Sequence, residues 1–307
     1  PLKPSWTRQV IRLSVTHRPQ PLRVLTLVPS GSANGRLVVI SHGLWDDPES
    51  FEGWGELLAA QGYTVLLPDH PGSDFSQQKA MLAGDRPPPG PEELRLRPLD
   101  VSALLDAVES GRLLKGRGLN TEAVAVVGHS WGATTTLQLS GGVPTERKLK
   151  SHCSDLRDPE RNLSWVLQCS WLSGINKAGV ADQRVKAVVA VSPPLRLLFE
   201  PSSSTSLSVR ASALQQTAGL DGIDQSRDIQ RTQTQFLGTW GRPIPRQHRP
   251  LLTEIAAGMI RQEHRVTLSR QHLAPSLKRF RVIPEAMGNH HQTPVGRAIW
   301  HQGQHPE

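Results

Sequence analysis

Five short apolar runs along the chain predict buried β-strands. They cover residues 23–28, 37–41, 63–68, 123–128 and 185–192. The last four runs are apolar at nearly every position and do not alternate with polar residues. This pattern is typical of strands that are covered on both faces, as in a parallel sheet between two layers of helices.

Two longer stretches between these runs predict amphipathic helices. Residues 49–61 place apolar side chains at helical spacing and end before Gly62, which is a suitable C-cap. Residues 99–114 form the second candidate. The alternation of strands and helices favours βαβ units, and therefore an α/β fold with a mostly parallel sheet and helices on both faces.

Two segments interrupt this alternation. Residues 71–98 are rich in proline and glycine, including "RPPPGP" at 86–91, which predicts a long loop. Residues 141–182 separate the 123–128 strand and its helix from the last strand, and they contain a helical pattern of their own. We interpret them as a cap insertion over one end of the sheet, within a core of residues 1–209.

The two cysteines of the chain, Cys153 and Cys169, both lie in this insertion. Two cysteines form neither a disulfide framework nor a metal cluster, so we expect no metal. The pair could form one disulfide in an oxidising compartment, or remain as two buried thiols. The sequence leaves these two alternatives open.

The charge of the chain is concentrated in its last third. The 307 residues carry a formal net charge of +8. Residues 1–209 hold 22 basic and 20 acidic side chains, a net charge of +2, whereas residues 210–307 hold 13 and 7, a net charge of +6. The basic segment has few aromatic residues and no recognisable binding fold, so we predict no nucleic-acid partner.

Residues 210–307 also differ from the core in pattern. Apolar strand-like runs nearly vanish after residue 210, and the only strand candidates are 266–268 and 280–283. We expect an atypical basic C-terminal segment, which is explained either by a slip of the reading frame near residue 210 or by poor order. A codon check supports the frame slip. Residues 218–222, read one nucleotide later, can encode Arg-Asp-Trp-Met, which places an aspartate near the position where an acid is expected. No apolar run reaches the length of a membrane span.

The sequence "AVAVVGHSWGATT" at 123–135 contains the strongest chemical signal. Ser130 stands between two glycines where an apolar strand ends, and small residues follow. A sharp strand-to-helix turn would expose the serine hydroxyl as a nucleophile and direct the first N–H groups of the next helix at a reacting carbonyl. Gly128 and Gly132 fit because larger side chains would clash in such a turn.

The run "VVISHGLWDD" at 38–47 supports the same chemistry independently. A main-chain N–H just after such a strand is the usual second donor of an oxyanion hole. We therefore predict an oxyanion hole from the N–H groups of Leu44 and Trp131. The side chain of His42 is interpreted as structural, holding this loop in place.

These motifs resemble the α/β-hydrolase family over about residues 20–200. Within it, the chain is similar to the bacterial "predicted dienelactone hydrolase" branch, which is related to platelet-activating factor acetylhydrolases. The resemblance rests on "SHGLWDDPESFEGWGELLAAQGYTVLLPDHPGSD", "GHSWGATTTLQLSG", "NLSWVLQC" and "RVKAVVAVSPP". It implies a serine esterase or lipase-like hydrolase with a Ser–acid–His triad in that chain order, no cofactor, and a small-molecule or lipid ester as substrate.

Apolar side chains around the site could line a pocket for the ester, although core packing is the more common fate of such residues. The candidates are Trp45, Trp131, Trp165, Leu167, Trp171 and Leu172.

The triad partners of Ser130 are harder to place. The segment after the 185–192 run reads Ser-Pro-Pro, and in "FLGTWGRPIP" at 236–245 Gly241 stands where an aspartate is expected. The acid therefore stays unassigned, and the remaining carboxylates are interpreted as solvated loop charges. These are Glu200, Asp221, Asp224 and Asp228. For the histidine we predict His290, with His291 and His272 as alternatives.

Two expectations remain. If the acid and the histidine are missing, the chain is a catalytically impaired relative that acts as a binding protein. The first residue is a proline and not a methionine, so an N-terminal signal could precede it. We expect the cytoplasm as the default location. The periplasm is the alternative if the chain carries such a signal.

Overall fold

Seven strands form one mixed sheet in the part of the chain that the structure describes. In chain order they are β1 (Trp6–Leu13), β2 (Leu22–Pro29), β3 (Arg36–Ser41), β4 (Thr64–Pro68), β5 (Asn120–His129), β6 (Val185–Val191) and β7 (Arg210–Leu214). The structure is a computed structural model that describes residues 5–157, 163–174, 180–193, 198–199 and 210–214, with the backbone alone for 163–165 and 210–214. All of these residues belong to one compact unit, which spans residues 1–263.

The spatial order of the strands is β1-β2-β4-β3-β5-β6-β7. The pairs β1–β2 and β2–β4 are antiparallel, and all later neighbours are parallel. All five predicted strands are confirmed. The mostly parallel sheet is confirmed as well, with an antiparallel hairpin at one side.

Two strands were not predicted from the hydrophobic pattern. β1 is exposed at most of its positions, and it forms because it pairs with β2 along its whole length. β7 corrects the expectation that strands vanish after residue 210, because it pairs in parallel with β6. Its sequence, RASAL, carries little apolar surface, so main-chain pairing with its neighbour explains the strand better than hydrophobicity does.

Six α-helices and two short 3-10 turns surround the sheet in the described residues. The helices are α1 (Glu52–Ala60), α2 (Phe75–Leu82), α3 (Glu93–Glu109), α4 (Trp131–Leu139), α5 (Glu146–Ser154) and α6 (Leu163–Gln168). The 3-10 turns are Pro48–Phe51, before α1, and Cys169–Ser173, after α6. The predicted helix over 49–61 is confirmed, and Gly62 ends it with a φ of 87°.

The helix predicted over 99–114 begins six residues earlier, at Glu93, and ends at Glu109. Pro98 lies inside it and has no N–H to donate to the carbonyl of Leu94. The side-chain amide of Gln138 in α4 donates to that carbonyl instead, at 2.8 Å. A contact from a distant helix thus compensates for the proline.

The long loop predicted over 71–98 is wrong in part. It contains α2 and the start of α3, and residues 83–92, which include the proline-rich stretch, lie between the two helices. The side chain of Asp74 caps α2 by accepting the N–H of Gln77 at 2.7 Å. This capping contact supports a helix whose own sequence, FSQQKAML, has little apolar periodicity.

Helices pack on both faces of the sheet, as predicted. On one face, α3 buries Val101, Leu104 and Leu105 against strand residues such as Val39 and Val126. On the other face, α1 buries Trp54 and Leu58 against strand residues that include Leu25 and Val38. No helix among the described residues is long and apolar enough to cross a membrane.

The described part of the insertion at 141–182 contains α5, α6 and the 3-10 turn that follows α6. Cys153 and Cys169 form a disulfide, which decides between the two alternatives that the sequence left open. Leu149 of α5 and Trp171 of the following 3-10 turn pack in one cluster with Trp131 at the start of α4. The insertion therefore rests on the helix that follows Ser130.

Candidate active site

Ser130 occupies the single residue between the end of β5 and the start of α4. Its backbone has φ 52° and ψ −113°, a conformation that costs a non-glycine residue about 1–3 kcal/mol. Its N–H donates to the carbonyl of Val191 at 2.9 Å, which ties the turn to β6. Its carbonyl accepts from the N–H groups of Ala133 and Thr134, which begins the helix. The predicted strand–turn–helix arrangement is confirmed, and Ser130 is half-buried.

The two glycines of this turn, which we call the elbow (residues 128–132), are required by close contacts. A Cβ on Gly128 would overlap the carbonyl of Gly132 and the hydroxyl of Thr136. A Cβ on Gly132 would overlap the carbonyl of Ser41 at the end of β3. The glycines thus allow α4 to approach both its own strand and the neighbouring strand.

Residues 42–47, which we call the β3 loop, run directly beside the elbow. A Cβ on Gly43 would lie 3.2 Å from Nδ1 of His129 and 3.4 Å from Cβ of Ser130. Trp45 has a φ of 61°, and its N–H donates to the carbonyl of Ser73 at 2.8 Å. The loop is therefore fixed in a strained conformation next to Ser130, with Leu44 between these two contact points.

The N–H groups of Leu44 and Trp131 are the predicted oxyanion donors. Within the part of the chain that the structure describes, neither N–H donates a hydrogen bond to another protein group. Leu44 follows Gly43, which touches the elbow, and Trp131 is the first residue of α4. The N-terminus of a helix also carries partial positive charge, which favours an anion.

His42 holds the β3 loop through both nitrogens of its ring. Nδ1 donates to the carbonyl of Gly43 at 2.7 Å, and Nε2 accepts the N–H of His70 at 3.1 Å. Both ring nitrogens thus contact the main chain, one within the loop and one at His70. The side chain is buried, so its role is structural, as the sequence predicted.

Two of the apolar candidates for the pocket are core residues. Trp131 and Trp171 are each 1% exposed, and their rings pack edge to face with centroids 4.2 Å apart. Leu44, Leu167 and Leu172 are partly buried against the same cluster. Trp45 is half-buried, and its indole N–H donates to Oε1 of Gln77. The side chain of Trp165 lies outside the described residues.

A buried network of charged side chains lies beneath the β3 loop. Arg18 donates to both carboxylate oxygens of Asp100, at 2.9 and 2.7 Å, and to both of Glu93, at 2.6 and 3.1 Å. Burial alone would raise the pKa of Asp100, but hydrogen bonds from His17, His70 and Arg18 hold it below its ordinary value. Asp100 is therefore ionised at neutral pH.

Arg97 lies in the same layer, 1% exposed. Its guanidinium donates to the carbonyl of His42, to the hydroxyl of Ser73 at 2.8 Å, and to the hydroxyl of Thr135 at 3.3 Å. Burial lowers the pKa of Arg97 to about 10, which still leaves the side chain protonated at neutral pH.

Ser41, His70 and Asp100 have the hydrogen-bond order of a catalytic triad. Oγ of Ser41 lies 2.9 Å from Nε2 of His70, and Nδ1 of His70 lies 2.8 Å from Oδ2 of Asp100. All three side chains are completely buried, and the Ser41 hydroxyl also accepts from Arg97 at 3.4 Å. A substrate has no access to this serine, so the arrangement supports the loop and is not the reacting centre.

The predicted histidines lie outside the described residues. This applies to His290, His291 and His272 alike. The carboxylate candidates Glu200, Asp221, Asp224 and Asp228, and Gly241, lie outside them as well. After β6 the chain continues with Ser192, at φ 49°, and then Pro193. The acid that the resemblance implies thus stays unassigned, and His290 stays a prediction.

A comparison with protein-family models identifies the family. The model of the "Alpha/beta hydrolase family" matches residues 37–297, which is most of the chain. The chain belongs to the alpha/beta hydrolase family. The family match and the observed sheet and helices agree on the α/β-hydrolase fold. The match continues past residue 210, where the sequence predicts a change of character; a frame slip there stays a prediction.

Solved structures that resemble this chain include two esterases and a dienelactone hydrolase. The first is described as an arylesterase (16% identity, TM-score 0.34, 63% of this chain and 47% of that chain). The second is a dienelactone hydrolase from Anabaena variabilis (16% identity, TM-score 0.42, 78% and 87%). The third is a zinc-bound cold-adapted esterase from an Arctic intertidal metagenomic library (15% identity, TM-score 0.43, 86% and 95%).

These structural likenesses are weak. The chain spans about half the length of the arylesterase, and all three TM-scores are below 0.5. Family membership rests on the sequence match, and these structures indicate no substrate for this chain. A search of the curated proteins finds no match. The relationship to platelet-activating factor acetylhydrolases stays a prediction.

The buried network was missed by sequence reasoning, although the chain carries a signal for it. Arg97 and Asp100 lie three residues apart in α3, on the side of the helix that carries Val101 and Leu104. Charged residues on an otherwise apolar helix face indicate buried ion pairs. His70 follows a fully buried strand, β4, which is a second sign.

Proposed function

We propose that this protein is a serine hydrolase that cleaves a carboxylic ester of a small molecule or a lipid. The observation that carries the proposal is the elbow. It holds one half-buried hydroxyl, that of Ser130, in a strained backbone conformation at the carboxyl end of an inner strand. Glycines required by contact lie on either side of it. Such strain supports a functional role because the fold has to offset its cost.

In the proposed reaction, Oγ of Ser130 attacks the ester carbonyl and transfers its proton to a base. The carbonyl oxygen becomes an oxyanion, which the N–H groups of Leu44 and Trp131 stabilise, each by about 3 kcal/mol. The C–O bond to the alcohol then breaks, and the alcohol leaves with the proton. Water attacks the acyl-enzyme, releases the carboxylic acid and restores Ser130.

The base in this scheme is His290, with His291 and His272 as the alternatives. A serine hydroxyl needs such a base because it is a weak nucleophile at its own pKa. The carboxylate that would orient the histidine has no assigned residue. The proposal does not depend on its identity, because the serine and the two main-chain donors define the reaction class.

The test compares Ser130→Ala with Ser110→Ala, a serine at the C-terminus of α3. We expect Ser130→Ala to abolish p-nitrophenyl acetate hydrolysis and labelling by a fluorophosphonate, while its thermal unfolding resembles that of the wild type. Ser110→Ala should keep both activities. Wild-type turnover that persists in Ser130→Ala would remove Ser130 from the mechanism. A folded wild type that neither hydrolyses the ester nor labels would favour the catalytically impaired binding protein.

A further inference from the structure

Arg97 connects the two segments that carry the proposed oxyanion donors. Its Nη2 donates to the carbonyl of His42, two residues before Leu44. Its Nε donates at 3.3 Å to the hydroxyl of Thr135, and that hydroxyl donates at 3.1 Å to the carbonyl of Trp131. One side chain from α3 therefore reaches the β3 loop directly and the first residue of α4 through a single hydroxyl.

Two further contacts hold the same loop from below. Nη1 of Arg97 donates to the hydroxyl of Ser73 at 2.8 Å, and the carbonyl of Ser73 accepts the N–H of Trp45. Nη2 of Arg97 also lies 3.4 Å from Oγ of Ser41, the last residue of β3. The segment from Ser41 to Trp45 is thus connected to the guanidinium directly at its start and through Ser73 at its end.

Arg97 is an unfavourable residue to bury for stability alone. The four acceptors that the described residues offer it are all neutral oxygens. The carboxylates of Glu93 and Asp100 raise the pKa of Arg97 through their charge, but both accept hydrogen bonds from Arg18 and not from Arg97. Well-packed apolar residues often stabilise a core as well as buried charges do. The guanidinium is planar and has donors in several fixed directions, so it can hold several main-chain segments at a defined spacing.

We propose that Arg97 is a positioning residue that fixes the spacing between the Leu44 and Trp131 N–H groups. This inference rests on the proposed function. Arg97 does not contact substrate in this scheme; it acts through the β3 loop and through Thr135. Loss of the guanidinium leaves each donor in place along the chain but frees the two segments to move relative to each other, which weakens stabilisation of the oxyanion more than binding of the ground state.

The test uses Arg97→Met, which keeps an unbranched apolar stem, and Thr135→Val, which keeps shape and removes the hydroxyl relay to Trp131. Arg184→Met is the matched control, because Arg184 also contacts α3 but pairs with Asp106 and Glu109. We expect Arg97→Met to lower kcat for p-nitrophenyl acetate by about 100-fold, with KM changed less than about threefold. Thr135→Val should lower kcat by about tenfold, and Arg97→Lys should lie between Arg97→Met and wild type.

Hydrogen exchange supplies a readout that does not depend on turnover. In Arg97→Met we expect faster exchange in peptides that cover residues 42–47 and 130–135, and unchanged exchange there in Arg184→Met. Folded Arg97→Met with wild-type kcat and wild-type exchange in both segments would overturn the inference. If Arg97→Met does not fold, wild-type kcat in Thr135→Val overturns it.

The two proposals fail in different ways. Turnover that survives in Ser130→Ala removes the proposed function, and the positioning role of Arg97 with it. Turnover that depends on Ser130 but is unaffected in folded Arg97→Met and Thr135→Val removes only the positioning role.

Discussion

Gly132→Ala tests the close packing at the elbow, because two physical effects predict opposite signs for it. Gly132 is the second residue of α4, and replacing glycine by alanine within a helix stabilises it by up to about 1 kcal/mol. The new Cβ, however, would overlap the carbonyl of Ser41 and lie 2.7 Å from the carbonyl of His42. Both are main-chain atoms of β3 and its loop, so neither can rotate away.

Relief of this overlap requires α4 to move away from the end of β3. Overpacking of this kind costs about 1–3 kcal/mol, and rigid main-chain neighbours favour the upper part of that range. After subtraction of the helix-propensity gain, we expect Gly132→Ala to lower the free energy of unfolding by about 2 kcal/mol. The same movement shifts Ser130 relative to Leu44, and a displacement of about 1 Å costs about 100-fold in rate.

Urea unfolding followed by tryptophan fluorescence measures the stability change, and p-nitrophenyl acetate hydrolysis measures the rate. Gly31→Ala is the matched control, because no atom lies within 4 Å of its added Cβ and its φ is outside the left-handed region. We expect this control to keep wild-type activity and to be unchanged or slightly more stable. A Gly132→Ala protein that is as stable and as active as wild type would refute the packing argument.

Two further predictions concern stability. Reduction of the Cys153–Cys169 disulfide, or the Cys153→Ser/Cys169→Ser variant, should lower the free energy of unfolding by about 3 kcal/mol, because the bridge spans 16 residues; equal urea midpoints for oxidised and reduced protein would contradict this. Burial and the charge of Arg97 lower the pKa of His70 well below 6.5. Below pH 6.5 the folded protein therefore binds fewer protons at this residue than the unfolded chain does. His70 thus makes folding less favourable as the pH falls. We expect His70→Gln to flatten the pH dependence of unfolding between pH 6.5 and 5, by up to about 1.4 kcal/mol per pH unit, and parallel profiles for variant and wild type would rule out this role.

The parts of the fold that were predicted from the sequence are those whose structure is determined by local residue patterns. The inner strands are continuously apolar, and the elbow needs glycines at fixed positions, so both are visible in the sequence. α2 was missed because a capping aspartate and tertiary contacts, not apolar periodicity, support it. β1 and β7 were missed because pairing with a neighbour forms them.

The candidate site divides in the same way. Ser130 and its two main-chain donors were predicted because each follows an apolar strand at a short, fixed spacing. The support from Arg97 was not predicted, because its partners are distant in sequence. Thr135 lies 38 positions from Arg97, and His42 lies 55 positions from it. Such contacts depend on how α3 packs across the sheet, and no local pattern indicates which acceptors a buried arginine will reach.

The exposed character of β1 has a consequence for how this protein behaves at high concentration. β1 is the last strand in the described order on its side, so one row of its main-chain groups faces away from β2. Arg8 and Arg12 lie along it, and Arg8 is held by Glu52 at 2.5 Å. Another chain that tried to extend the sheet there would have to bury these guanidinium groups. Charged side chains on this edge strand thus oppose the edge-to-edge pairing from which fibrils grow.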